Sequence, residues 1–250
     1  MRILLALLLS ASSLFAQADY STLLLFQPAG ASDPTPDIWW AKLNEGSGTT
    51  FASTISPNGT NTAAWTTATP SGSGSALLFT GTTNSYKAAT TGSIAYGSAA
   101  TITVTFWARM ASTNSTKMLL ESSTLAFDNA AWEVVLDANT MGFLMGRGVG
   151  SQYLFRTMVP PPVNTTNHFA VIFDRSPTAG TITVYMNGAS QSLTTVNNNI
   201  GASGTFADHV FHIGNRNGNA NYFDGMIDDV RIYNGALNTT QIDAIRANPQ

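Results

Sequence analysis

From Ile38 to Leu237 no stretch carries the three-and-four spacing of an amphipathic helix. The chain runs instead in short segments separated by Gly, Asn, Ser and Pro, which confines it to all-β architectures. Thr101 to Arg109 alternates cleanly, with Ile102, Val104, Phe106 and Ala108 on the core face and Thr103, Thr105, Trp107 and Arg109 on the other. Thr181 to Met186 does the same, sending Ile182, Val184 and Met186 inward and Thr183 and Tyr185 outward, and Asn187-Gly188 supplies a two-residue hairpin turn. Strands that are apolar on one side only bury that side, so two antiparallel sheets packed face to face follow. Periodicity alone does not choose between a jelly roll and an immunoglobulin-like sandwich.

Near the C-terminus, DGMIDDVRIYNGAL (224–237) reads as a late strand between an Asp-Gly and an Asn-Gly turn signal. Strict alternation places Met226, Asp228, Val230 and Ile232 on one side and Ile227, Asp229, Arg231 and Tyr233 on the other. Two adjacent carboxylates in such a strand need partners: backbone N–H groups, a cation, or Arg231. The following NTTQIDAIRA is expected to be a short closing helix. Asn238 fits its N-cap and Gln241 the N3 position of a capping box, and Ile242 and Ile245 form the docking face.

The length of 250 residues and 44% hydrophobic content suit one sizeable core, so residues 37–250 are expected to form a single domain. Charged residues make up 10%, against roughly 25% in ordinary soluble domains, and the net charge is −3 with no Lys/Arg cluster, which argues against nucleic acid or an acidic membrane as partner. Residues 1–18 read as a signal peptide: Arg2, the apolar run Ile3 to Leu9, and Ala16-Gln17-Ala18 before a cleavage that leaves Asp19. Ser10, Ser12 and Ser13 interrupt the run too early for an anchor, and no later segment is expected to span a bilayer. With no cysteine, disulfides and thiolate metal sites are excluded, a pattern that suits a secreted bacterial protein. Residues 19–36 hold a strand-like YSTLLLF and a linker stiffened by Pro28, Pro34 and Pro36. That strand either packs on its own sandwich or completes a neighbour's sheet edge, which makes self-association an expectation to test.

Catalytic signals are thin. The three glutamates are Glu45, in an NEGSG turn, and Glu121 and Glu133, which end and begin neighbouring strand-like runs and can face one another across a hairpin. The histidines are His168, His209 and His212, without a Gly-x-Ser-x-Gly elbow or His-Glu-x-x-His pair. His209 and His212 are three apart in a strand and so fall on opposite faces, poor joint metal ligands.

The string YFDGMIDDVRIYNGALNTTQI resembles the C-terminal signature of laminin-G-like, concanavalin A-like jelly-roll domains and, more loosely, the same region of pentraxins. Further matches stand upstream in the expected order: WWAKLNEGSGTTFAS (39–53), SALLFTGTTNSY (75–86), TITVTFWARM (101–110), HFAVIFD (168–174), TITVYMNGA (181–189) and FHIGNRNG (211–218). The resemblance covers nearly everything from Asp37 onward. It implies a two-sheet antiparallel jelly-roll sandwich with a short C-terminal helix, and says less about function. It also raises calcium, since the family pattern uses an Asp after the NEGSGTTF-like run, a following Asn-Gly segment and the late Asp pair. Here Ser53 stands at the Asp position, leaving Asn58, carbonyls near Gly59, and Asp228 as candidate ligands. The laminarinase-type glucanases of the fold carry Glu-x-Asp-x-x-Glu on one strand, whereas Glu133 is followed by Val, Val, Leu and Asp137. That spacing does not match.

The expected function is therefore a secreted, noncatalytic module that binds a glycan or an extracellular protein surface. The alternative is a structural component of a cell-surface or extracellular assembly, with a glycoside hydrolase as a third reading. If a ligand binds a sheet face, Trp107, Arg109 and Tyr185 are the outward residues, with Glu133 and His168 expected beside them; aromatic faces and planar polar groups are what sugars require. If it binds the loop rim, the residues are those from Asn215 to Tyr222, represented by Asn217 and Tyr222.

Overall fold

The computed structural model describes residues 32–81, 89–123, 131–146, 152–177, 180–200, 204–216 and 221–250. The signal segment, the Tyr20–Phe26 strand and Asn217 lie outside them. Asp33–Gln250 forms one compact unit. Its strands are β1 (Trp39–Ala41), β2 (Thr50–Phe51), β3 (Gly59–Asn61), β4 (Ala64–Thr66), β5 (Ala76–Thr80), β6 (Ala89–Ile94), β7 (Thr101–Met110), β8 (Lys117–Ser122), β9 (Trp132–Asp137), β10 (Thr140–Gly146), β11 (Tyr153–Met158), β12 (Thr166–Asp174), β13 (Thr181–Met186), β14 (Ala189–Ser190), β15 (Thr194–Asn198), β16 (His209–Ile213) and β17 (Asp224–Asn234), closed by the helix α1 (Thr239–Ala247). Sheet A runs β14-β13-β12-β7-β17-β5-β4 with β1 also on β17, and sheet B runs β15-β11-β10-β9-β8-β16-β6-β3-β2. All of these pairs are antiparallel, and the chain passes repeatedly from one sheet to the other, among other places between β7 and β8, β11 and β12, and β16 and β17, as in a jelly-roll sandwich.

Alternation fixes which side of each strand meets the other sheet. Ile102, Val104, Phe106 and Ala108 of β7 are fully buried in the core, where Phe106 stacks on Phe169 of β12 with centroids 5.1 Å apart. From sheet B, Trp132 packs between Phe173 at 5.5 Å and Phe211 at 5.4 Å. Its indole N–H donates to Tyr96 Oη (2.9 Å), which donates to Ser122 Oγ (2.8 Å), so both polar tips are satisfied inside the sandwich. Each large apolar side chain buried this way contributes about 1.5–3 kcal/mol, which is what a fold without disulfides stands on.

Strand β17 departs from strict alternation. Ile227 faces Ala108 and Asp228 faces Trp107, but beyond a register shift Arg231 faces Thr105 and Ile232 faces Val104. The extra residue is Asp229, whose φ of 45° lies in the left-handed region that Asp tolerates better than most side chains. This bulge puts Ile227, Val230 and Ile232 together in the core, correcting the alternation expected from the sequence, and turns Asp228, Arg231 and Tyr233 to the outer face of sheet A.

The closing helix forms as its capping signals predict. Asn238 Oδ1 accepts from Gln241 N (2.9 Å) and Gln241 Oε1 accepts from Asn238 N (3.0 Å), while Ile242 and Ile245 are buried. Neither isoleucine joins the main core; they belong to a separate layer on the outer face of sheet A.

Candidate functional site

The two outer faces of the sandwich are built differently. On sheet A, Arg231 is fully buried and its guanidinium makes five bonds: Nε and Nη2 to the two oxygens of Asp229 (2.8 and 2.7 Å), Nη1 to both oxygens of Asp33 (2.8 Å each), and Nη2 to the Asn248 carbonyl (2.9 Å). Trp40 lies against the same guanidinium, 4.7 Å from ring centroid to Cζ, and donates its indole N–H to Asp229 Oδ1 (2.9 Å). Segments from both ends of the unit are thereby clamped to β17. Asp228, beside the bulge, accepts at Oδ2 from the Ser71 hydroxyl, and burial pushes its carboxyl up to about 7.

Trp107, Arg109 and Tyr185 do share this face, as expected, and so does His168, whose ring lies 5.2 Å from that of Trp107. Of the four, His168 is buried and the other three are half-buried. His168 is 1% exposed and burial, with Arg231 and Arg246 nearby, holds its imidazole down at about 3, neutral at physiological pH. The Trp107 indole nitrogen is buried, Arg109 Nε donates to the Asn164 carbonyl (3.1 Å), and Tyr185 is half-buried on β13. Around His168 and Arg231 the outer face of sheet A is a second, polar-rimmed core beneath α1, whereas Arg109, with Leu78, Asn164 and Met226, lines a small surface pocket of about 100 Å³.

Glu133 is not on that face. Strand β9 belongs to sheet B, because the chain crosses over after β7, so the sequence expectation that joined Glu133 to Trp107 is corrected. On sheet B, a row of facing positions runs Thr90, His212, Glu121, Glu133, Leu144 and Phe155 across six strands. Trp132, Val134 and Leu136 point to the core, leaving Glu133, Val135 and Asp137 on the outer side. Glu121 and Glu133 stand directly opposite, both almost fully buried, a placement that repels unless compensated. Arg216 compensates it, with Nε 3.7 Å from Glu121 and Nη2 3.7 Å from Glu133, and Ser123 Oγ donates to Glu121 (2.8 Å). Burial holds the His212 imidazole below its ordinary value, so it adds no lasting positive charge.

Beside this trio a groove of about 280 Å³ opens on the surface, with Val135, Leu144, Tyr153, Phe155 and Val196 as its apolar part and Glu133, Asp137 and Arg216 at its polar margin. Gly142 is what lets the floor lie flat. A Cβ there would meet the Phe155 ring at 2.5 Å and Val135 at 3.0 Å, so the aromatic ring lies across the glycine. An aromatic laid on a sheet beside hydroxyl-seeking carboxylates can take the apolar face of a sugar ring and bind its hydroxyls at the edge. Of the residues that form this groove, sequence reasoning named only Glu133. The signal for the rest was Gly142, a glycine within an apolar strand, TMGFLMG, which marks a close approach of something else.

The loop-rim residue Tyr222 is half-buried next to β17, and the backbone of its neighbour Asn221 accepts from Met118 N (2.7 Å). The two candidate calcium ligands are tied into separate sets: Asn58 Oδ1 accepts from Ser53 N (2.9 Å), and Asp228 Oδ2 accepts from Ser71. Among the described residues, no three His, Cys, Asp or Glu side chains cluster as a metal site. Asp228 Oδ1 makes no hydrogen bond, which leaves that oxygen as the position at which a cation would meet Asp228 without displacing Ser71.

With this architecture in view, comparison with known proteins is informative. The model of the Laminin_G_3 family, described as the concanavalin A-like lectin/glucanases superfamily, matches residues 80–243. The chain belongs to this family. The binding domain of botulinum neurotoxin serotype C1 superposes with a TM-score of 0.64 at 12% identity, over 86% of this chain and 52% of that one. Botulinum neurotoxin type C in a study of its dependence on two ganglioside molecules gives 0.63 at 12%, over 86% and 51%. The heptameric SAP-like pentraxin from Limulus polyphemus gives 0.50 at 17%, over 68% and 80%. The chain spans about half the length of the toxin structures, and at these identities the likeness shows the fold. Curated protein sequences give no match.

Proposed function

We propose that the protein is a secreted, noncatalytic binding module that takes a segment of glycan along the outer face of sheet B. The observation that carries this reading is the platform of Phe155 over Gly142, flanked by Tyr153 and by the Glu133, Asp137 and Arg216 margin. It offers the apolar ring contact and the planar polar partners that sugars need, on rigid strands. The signal-peptide pattern of residues 1–18 is what supports an extracellular or cell-surface setting for this reading, and a bacterial source suits that pattern and the absence of cysteine. Among the described residues no helix is long and apolar enough to cross a membrane. The dependence of botulinum neurotoxin type C on gangliosides adds a fold-level analogy.

The glutamate pair supports binding over hydrolysis. A glycosidase needs two carboxyl groups that both reach one sugar bond, yet Glu121 has no exposed surface and does not line the groove, and Arg216 lies 3.7 Å from each of the two carboxylates. A second reading, a building block of a surface assembly, has its own observation. β15 is an exposed edge strand within a stretch, 176–207, that contains no Asp, Glu, Lys or Arg, so it lacks the charges that usually guard an edge. A glycan array on the mature protein, paired with sedimentation, separates the two. Saturable binding by a monomer supports the glycan module; no glycan bound together with ordered self-association supports the assembly reading.

A further inference from the structure

The chain crosses from sheet B to sheet A between β11 and β12 through Val159-Pro160-Pro161-Pro162-Val163. Three prolines in a row fix φ at about −65° and drive the residue before each of them into extended backbone, so this loop is a short polyproline II segment. It is anchored rather than loose. Thr165 N and Oγ1 both donate to the Pro162 carbonyl (3.3 and 2.6 Å), Asn164, at φ 61°, donates its N–H to the Met110 carbonyl (2.7 Å), and Arg109 Nε donates to the Asn164 carbonyl (3.1 Å). Pro161 is buried beneath.

Stiffness of the crossover explains the prolines but not the residues beside them. Among the described residues the exposed large apolar side chains are Val159 (85%), Val196 (59%) and Val163 (44%). Two of these bracket the proline run, and the third borders the sheet B groove. A single exposed valine needs no explanation, whereas two that flank a rigid, uncharged polyproline turn form an apolar knob.

Segments of this kind are read by grooves lined with aromatic rings, because the preformed helix has little entropy left to lose and its pyrrolidine rings lie flat on aromatic faces. The sheet B groove is such a surface. Phe155 lies across Gly142 with Tyr153 near it, and Val135, Leu144 and Val196 complete an apolar floor in a space of about 280 Å³. Charge agrees with shape. Arg109 shares a small pocket with Asn164 of the loop and with Asp224, beside which the Lys117 ammonium lies, so two cations stand there against one carboxylate. At the groove margin two carboxylates, Glu133 and Asp137, stand against one cation, Arg216.

We propose that the Val159–Val163 loop of one copy docks in the Tyr153/Phe155 groove of the next, so that this chain assembles head to tail through a polyproline contact. Loop and groove occupy different parts of the surface, the crossover between the sheets and the outer face of sheet B, and a copy engaged at one still offers the other. The contact is therefore heterologous and builds chains or rings rather than a two-fold pair. It uses the groove as an apolar surface and does not rest on the glycan reading; a glycan and a neighbour's loop in the same groove exclude one another.

The test follows the mature protein by sedimentation velocity over a wide range of concentration. The parent is expected to grow beyond a dimer as concentration rises, and Val159→Asp and Phe155→Ala each to need ten-fold or more protein to do so. Val159 makes little contact within its own chain, so its variant folds, and Tyr153→Ser replaces Phe155→Ala if that variant does not. Mixed in equal amounts, Val159→Asp and Phe155→Ala are expected to form a one-to-one complex, because the first keeps the groove and the second keeps the loop. A synthetic peptide of residues 156–165 is expected to bind Val159→Asp, to bind Phe155→Ala ten-fold or more weakly, and to lose as much when its three prolines are made alanines. A parent that stays monomeric at every concentration overturns the proposal, as does self-association that survives both variants, which would move the contact to the β15 edge. Failure of the mixed variants to pair, or a peptide that binds as well with alanines as with prolines, overturns it too.

Discussion

The outer faces of the two sheets start from similar strands and end in opposite states. On sheet A the outward residues include two Arg, two Asp, a His and two Trp, chemistry that looks made for a ligand, yet around Arg231 and His168 both ends of the folded unit, α1 included, are laid over them and the charges there are spent on one another. On sheet B the outward residues include Val, Leu and Phe beside a compensated carboxylate pair, and among the described residues no helix covers them. Functional-looking side chains thus serve as mortar on one face, while the open face is plainer and better suited to contact. A residue's chemistry suggests a role only after its burial is known.

That contrast can be broken or sharpened in order of effect. Arg231→Met leaves Asp229 and Asp33 facing each other without their cation and is expected to cost about 3–5 kcal/mol in denaturant unfolding. Glycan binding of the folded fraction should be unchanged, since the clamp is on the other sheet. Next, Arg216→Met exposes the opposed Glu121 and Glu133 to one another and is expected to cost roughly 2–3 kcal/mol, much of it recovered in Arg216→Met/Glu121→Gln. A loss the double variant does not recover would mean that Arg216 acts through packing.

The third test is a pH series on Asp228. Its folded carboxyl titrates near 7, against an ordinary value of about 3.9, so the folded chain keeps a proton that the unfolded chain gives up. Stability therefore falls as pH rises from about 4 to about 7 and stays lower above that. Asp228→Asn should match the parent near pH 4 and exceed it by roughly 1–3 kcal/mol at pH 8. His168 has the opposite sign: held neutral down to about 3, it contributes stability above about 6.5 that is lost as pH falls toward 3, and His168→Phe should flatten that limb. The smallest expected effect is that of calcium. Because Asn58 and Asp228 bond to different loops, at Ser53 and at Ser71, melting with calcium and with chelator should coincide, and a rise that disappears in Asp228→Asn would show that Asp228 does hold the ion.

Much of the fold was legible in the sequence because its signals are local. The alternation of Thr101 to Arg109, the Asn187-Gly188 turn and the Asn238/Gln241 capping box each act within a few residues, and each appears where the chain places it. The bulge at Asp229 was not legible, since an extra residue in a strand carries no mark beyond an Asp that tolerates positive φ, and it shifted every residue after it to the other face. The site was less legible still. Which strands lie side by side is decided by long-range pairing, so Glu133 was credited to the sheet of Trp107, and Arg216, which joins two carboxylates from different strands, had no sequence pattern to announce it.

The claim that the open face of sheet B is the glycan-binding face is tested most directly by calorimetry of the best array glycan on four folded variants. Phe155→Ala and Tyr153→Ala are expected to weaken binding ten-fold or more, while Trp107→Phe and Tyr185→Ala bind as the parent does. Loss of binding in Trp107→Phe or Tyr185→Ala, with Phe155→Ala and Tyr153→Ala unaffected, would contradict it and move the site to the face that the helix covers.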